Sequence, residues 1–212
     1  MLRRSVLTAL LGVAVAIAAP GLPSRAESDT DHAHLFVQSL AEKAIDTLTG
    51  ERLSQGERED RFREILRDHF DLNAIGKWVL GRHWRAASGP ERDEYMALFE
   101  DLIVKTYTLR FREYSTERLA VSDTTTRTAH DAIVHSELIR PQGAPPVRID
   151  WRVRAPNGHL KIVDVVVEGV SMSQTQRSEF GSVIRRHGGN VGGLLAAMRD
   201  ITARAEAANA SR

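Results

Sequence analysis

Cysteine is absent from this 212-residue chain, which excludes a disulfide framework, a thiolate nucleophile and a cysteine-ligated zinc. Familiar catalytic and phosphate-binding motifs are missing too: there is no nucleophile elbow, P-loop, HExxH or GxGxxG. Gly188-Gly189 and Gly192-Gly193 flank Asn190-Val191, but no strand feeds them as a phosphate cradle requires. They read as one helix stopping and another starting. Neither sign of charge dominates, with 29 Lys and Arg against 28 Asp and Glu, a poor basis for electrostatic binding of nucleic acid. Internal repeats and low-complexity segments are lacking as well.

What is present begins with an address. Arg3 and Arg4 precede an apolar run from Val6 to Ala19, broken by Pro20, Gly21 and Pro23, and Ser24-Arg25-Ala26 offers small residues flanking a cleavage site before Glu27. This is the layout of a cleaved secretory signal peptide. As a membrane anchor the run falls short of the ~20 residues that a span needs. Arg3-Arg4-Ser5-Val6-Leu7 also matches the twin-arginine pattern loosely, so the Sec and twin-arginine routes both stay open. Cleavage removes Arg3, Arg4 and Arg25 and no acid, leaving 26 basic against 28 acidic side chains, a net −2 with neutral histidines. The expected organisation is a leader over residues 1–26 and a single domain over 27–212, with an ordered core of about 33–203.

Helical spacing fills the first half of the domain. Leu35, Val37, Leu40, Ala44, Ile45 and Leu48 recur at helical intervals before Gly50. Ser54 with Glu57 and Ser88 with Glu91 make capping boxes, Asp71 is placed to cap a short helix, and Gly81 to end it. The longest helix is expected over Gly89–Tyr114. Seven of the twelve aromatic residues lie between Trp78 and Tyr114, which predicts that the largest apolar volume sits over a sheet, against this helix.

The second half turns to strands. Leu119–Val121 and Ala132–Ile139 are strand-like, and Val147, Ile149, Trp151, Val153 and Ala155 alternate with Arg148, Asp150, Arg152 and Arg154, the period of a half-buried strand. A turn at Pro156-Asn157-Gly158 fits either a type I′ hairpin or a type I turn with a bulge. Leu160–Val170 is a β-branched run expected to be covered on much of both faces. Ser173 with Gln176 reads as a capping box opening a helix, and Ala203–Arg212 as a fraying end. Helices, then an antiparallel sheet of about four strands, then helices make an α+β fold.

Titratable candidates are few. His32-x-His34 lies in the leader of the mature domain, without the fixed carboxylate partner of a zinc site. His130, Asp131 and His135 crowd one strand and could supply a dyad, although positions five apart point to opposite faces. Asp164 interrupts an apolar strand; a salt bridge to an arginine is the simpler expectation, a general base the alternative.

The segments Phe70–Ser88, Tyr95–Tyr114 and Val165–Phe180, with the glycine-flanked stretch Gly188–Asp200, resemble the MlaC or toluene-tolerance family of periplasmic phospholipid-binding proteins, which includes a hopanoid-associated branch. The resemblance spans roughly Phe36 to Arg199. It implies helices over a bent sheet enclosing an apolar cavity for acyl chains, with no catalysis, no cofactor and phospholipid as cargo. It also implies partners, an outer-membrane lipoprotein complex and an inner-membrane ABC transporter complex with a hexameric lipid-binding ring, served by a monomeric carrier. By analogy, cavity-lining side chains are placed at Val79, Phe99, Ile103, Tyr107, Phe111, Val134, Ile149, Trp151, Val153, Val165, Val167 and Met172. Hopanoid or another polycyclic lipid is the alternative cargo. From other classes come a small cone-fold enzyme using Asp164 with a histidine, and an adaptor whose apolar groove holds a partner helix.

Overall fold

A computed structural model describes residues 25–48, 53–111, 117–128, 130–155 and 158–210. Residues 1–24 of the expected 1–26 leader, the Pro156-Asn157 turn positions and the end of the expected long helix beyond Phe111 lie outside those residues.

Five helices come first: α1 (Arg25–Leu48), α2 (Gln55–His69), α3 (Leu72–Leu80), α4 (Arg82–Ala86) and α5 (Gly89–Phe111). Their starts follow local chemistry. Ser54 and Glu57 close a reciprocal capping box on α2, Ser88 and Glu91 exchange the same hydrogen bonds at α5, and Asp71 accepts from the Ala74 amide at α3. Gly81 ends α3 at φ +59°, a conformation that side chains avoid.

The sheet is an antiparallel meander in the order β1 (Arg118–Thr128), β2 (Asp131–Ile139), β3 (Val147–Arg154), β4 (Lys161–Val167) and β5 (Val170–Ser171). A 3-10 turn at Pro141–Gly143 connects β2 to β3. The run expected as one strand to Val170 is split. Glu168 (φ +50°) and Gly169 (φ +79°) form a two-residue turn, so Val170 folds back against Val167, the geometry of a tight hairpin. Glu168 tolerates its positive φ because Arg148 holds it at both ends: the Glu168 N–H donates to the Arg148 carbonyl (3.0 Å), and its carboxylate accepts from the Arg148 N–H (2.5 Å).

Register puts the apolar side chains of the strands in rows on one face: Val121–Ser136–Ile149–Val167, then Thr124–Val134–Trp151–Val165, then Thr126–Ala132–Val153–Ile162. A bulge gives β4 one extra residue between Ile162 and Asp164, which keeps Ile162 and Val165 on the same face despite their odd spacing.

Two final helices follow, α6 (Met172–Arg186) and α7 (Val191–Ala210). The cap of α6 is Ser171, whose hydroxyl accepts from the Gln174 amide, in place of the expected Ser173–Gln176 box. Ser173 is instead bound to Asp164. Gly188 and Gly189, both at positive φ, stop α6, and the Asn190 side chain accepts from the Gly193 amide to start α7, as the glycine pattern predicts. Gly193 has no room for a side chain, since a Cβ there would stand 2.2 Å from His187 Cβ. The expected fraying end is helical to Ala210, with Thr202 buried and Glu206 ion-paired to the buried Lys105 of α5.

Apolar side chains form two cores. One joins α1, α2 and α5 to the sheet through Val37, Leu40, Leu66, Val104, Val134, Val153 and Ile162. The other lies among α3, α5, α6 and α7, around Tyr95, Phe99, Phe180 and Leu194. The aromatic residues of α5 therefore do not all lie over the sheet. Tyr95 stacks on Phe99 at 5.6 Å, and Phe180 meets both edge-on, inside the helical core.

Candidate functional site

A cavity of about 1400 Å³ lies between the sheet, α1 and the α2–α3 junction. The floor comes from the last row of the sheet face, Ala132 and Val153. Ala33 and Phe36 of α1 form one wall; Phe70, Leu72 and Met96 form another, and Leu160 adds apolar surface beside β4. The α2–α3 junction is held in place by the backbone. β5 covers only the Val166–Val167 end of β4, leaving Ile162 free to bridge Phe70 and to accept from the Asp71 N–H at 3.0 Å. Lys161 Nζ then donates to the carbonyls of Arg67 (3.1 Å) and Asp68 (2.5 Å), satisfying the C-terminal end of α2.

The lining is amphipathic. Its fully buried members, Ala33 and Val153, are apolar, and its exposed ones include His32, Arg67, Asp68, His130 and His159. Much of the rim charge is already paired. Arg152 donates to Asp131 at 2.6 and 3.2 Å, and that hydrogen bond, against the cost of burial and with Arg154 helping, holds the Asp131 carboxyl below the usual range. Burial works to raise the Glu100 carboxyl, but Arg67 and Arg63 outweigh it and the net direction is downward.

Of the residues placed on the cavity by resemblance, Val153 lines it directly. Val134, Trp151 and Val165 share its sheet face and pack in the same core, with Ile103 and Tyr107 reaching that core from α5. Trp151 satisfies its indole N–H on the buried Ser136 hydroxyl (2.9 Å), which donates to the Ile149 carbonyl. Ile149 and Val167 are half-buried one row further along. The Tyr107 hydroxyl meets Met172 Sδ at 3.9 Å, joining α5 to the start of α6. Val79 and Phe99 sit in the helical core, which Ile103 also touches. The side chain of Phe111 lies outside the described ones. Sequence reasoning missed Phe36, Phe70, Leu72, Ala132 and Leu160. The signal for Phe70 and Leu72 was the Phe-Asp-Leu sequence at a helix boundary; nothing local marks the others.

The titratable candidates resolve differently. Asp164 faces hydroxyls rather than the expected arginine: it accepts from Ser171 Oγ (2.6 Å), Ser173 Oγ (2.7 Å) and the Ser173 N–H (3.2 Å). Arg152, its partner in register, is committed to Asp131. Asp164 thus fastens the start of α6 to β4. His135 has Asp150 on Nδ1 (2.9 Å) and Thr125 Oγ1 on Nε2 (3.0 Å). That chain has the order of a nucleophile–base–acid array, but it lies on the polar face of the sheet and lines neither this cavity nor the smaller clefts beside it. His130 is exposed at the cavity rim. His32 belongs to α1 and lines the cavity; among the described residues no group of three or more His, Cys, Asp or Glu could hold a metal ion.

The fold and cavity define a class: an α+β protein with helices around one face of an open antiparallel sheet and an amphipathic hollow between them. Residues 38–200 match the family described as MlaC protein, and the chain belongs to that family. It is 22% identical over 162 residues to the intermembrane phospholipid transport system binding protein MlaC of Haemophilus influenzae, covering 73% of this chain and 76% of that one. Its fold matches a phospholipid-binding protein from Ralstonia solanacearum, solved in complex with a phospholipid, with a TM-score of 0.71 and 21% identity over 82% of this chain and 98% of that one. Among the described residues no helix is long and apolar enough to cross a membrane.

Proposed function

We propose that this chain is a periplasmic lipid carrier, not an enzyme, which holds phospholipid acyl chains in the cavity between sheet and helices and passes the lipid between membrane complexes. The cavity carries the reading. Its volume of about 1400 Å³ exceeds the ~300–1,000 Å³ typical of pockets for drug-sized ligands. Its buried apolar lining and exposed polar rim suit an amphiphile with its chains inward and its head group at the mouth. Family membership supports the same reading, as do the two relatives, one a phospholipid transport system binding protein and the other solved with a phospholipid bound. Export by a cleaved leader fits a carrier that works between membranes, with an outer-membrane lipoprotein complex and an inner-membrane ABC transporter complex as the proposed partners.

The energetics favour slow spontaneous release. A chain of about 16 carbons gives on the order of 12 kcal/mol of gross burial at ~0.8 kcal/mol per CH₂. Two chains approach the ceiling of non-covalent affinity before association costs are subtracted. Handoff then requires a docked partner that offers a continuous apolar path. The residues that we propose for contact with the chains are Val153 with Ala132, Phe36 and Leu72, extended along the sheet face by Trp151 and Val165.

Ala132→Trp tests this reading. Ala132 is half-buried on the floor, at the margin of the sheet core, so a large side chain there extends into the cavity. The folded variant is expected to purify with far less extractable lipid than the wild-type chain. Equal lipid in both would contradict the proposed placement.

A further inference from the structure

A separate cleft, of about 430 Å³, opens between the α3–α4 junction and α6 and shares no lining residue with the cargo cavity. Arg82, His83, Arg177 and Arg185 line it, with the Ser178 and Ser182 hydroxyls, and no carboxylate is among its described lining residues. Elsewhere the chain pairs guanidinium groups with acids: Arg63 and Arg67 with Glu100, Arg152 and Arg154 with Asp131, Arg199 with Glu94. In the cleft, Arg177 donates to the Trp78 carbonyl (2.6 Å) and Arg185 to the Ser182 hydroxyl (2.8 Å). Among the described residues Arg82 reaches toward the His83 ring, at 3.4 Å. Burial, then Arg82 and Arg185, hold the His83 imidazole below its ordinary range.

The cleft is shaped in advance. The Arg177 guanidinium lies over the Trp78 ring at 4.8 Å, and a Cβ on Gly81 would stand 2.8 Å from it, so the backbone at φ +59° is fitted around the cation. Guanidinium forks match phosphate oxygens in geometry as well as charge. Trp78 is 44% exposed beside them, and tryptophan next to basic residues is the pairing that favours the head-group level of a bilayer.

We propose that this cleft binds the phosphate of an anionic phospholipid head group in a membrane surface and so docks the protein on the bilayer. This site is separate from the cargo cavity and does not depend on what that cavity holds.

The test is flotation of the full chain with vesicles of equal parts phosphatidylglycerol and phosphatidylcholine, and with vesicles of phosphatidylcholine alone. Binding is expected to the mixed vesicles and to weaken with salt. The double variant Arg82→Ala, Arg185→Ala should bind them roughly 30-fold more weakly, about fivefold per arginine. Both side chains are exposed, so the variant is expected to keep its circular dichroism spectrum and its extractable lipid. Comparing variant with wild type also cancels any contribution of the apolar Val6–Ala19 run. Equal binding to both vesicle types, or undiminished binding by the double variant, would overturn the proposal. So would capture of a poly-glutamate peptide with no binding to the vesicles, which would assign the cleft to an acidic protein.

Discussion

Asp164 shows how a residue's type can be conspicuous while its role stays hidden. An acid inside an apolar strand must be satisfied, but the sequence does not say by what. The bulge in β4 turns it toward Ser171 and Ser173, and it becomes the anchor of α6. Asp164→Asn removes a charged acceptor from those hydroxyls and should cost about 1.5–3 kcal/mol, read as a lower denaturation midpoint. A general base would instead lose a pH-dependent activity with stability unchanged. Asp131 makes a second prediction at this scale. Its folded pKa is depressed, chiefly by the Arg152 hydrogen bond, so the stability it contributes is present above the usual aspartate pKa and lost as pH falls through the lower folded value. Asp131→Asn should therefore reduce stability at neutral pH and flatten its decline in acid, as followed by urea unfolding across pH. A decline identical to that of the wild-type chain would contradict the pairing.

Elements were legible where one local signal decides them. The Ser54–Glu57 and Ser88–Glu91 boxes, the Asp71 cap and the paired glycines before α7 all formed as their spacing predicts. Elements decided by distant partners were not. The Glu168-Gly169 turn lacks the Asn-Gly signature and is held by Arg148 on another strand. The end of α7 looked like a fraying tail because its residues are small and polar, yet Lys105, buried on α5, needs the carboxylate of Glu206. Glu206→Ala leaves that ammonium without its acid and should lower the denaturation midpoint. Hydrogen exchange on Thr202–Ala207 should rise in the same variant; unchanged exchange would mean that α7 is held by its apolar face alone.

For the whole molecule, the α+β order and the apolar sheet face could be read from periodicity, because alternation fixes which side chains share a face. The location of the cavity could not. It lies where α1, the α2–α3 junction and the ends of four strands meet, segments far apart in sequence and related only by packing. Resemblance placed Val153, Trp151 and Val165 on the cavity, and they share the sheet face on which it opens, while Val79 and Phe99 lie in the helical core, since an apolar position on a helix does not reveal which neighbour it will meet.

Central to this account is that the cavity is filled by lipid. The direct measurement is mass spectrometry of the protein purified without detergent, first native and then after organic extraction. Stoichiometric diacyl phospholipid, released when the chain is denatured, is the predicted result, and a hopanoid or other polycyclic mass would reassign the cargo. A clean mass of the bare chain, with nothing in the extract, would contradict the carrier reading.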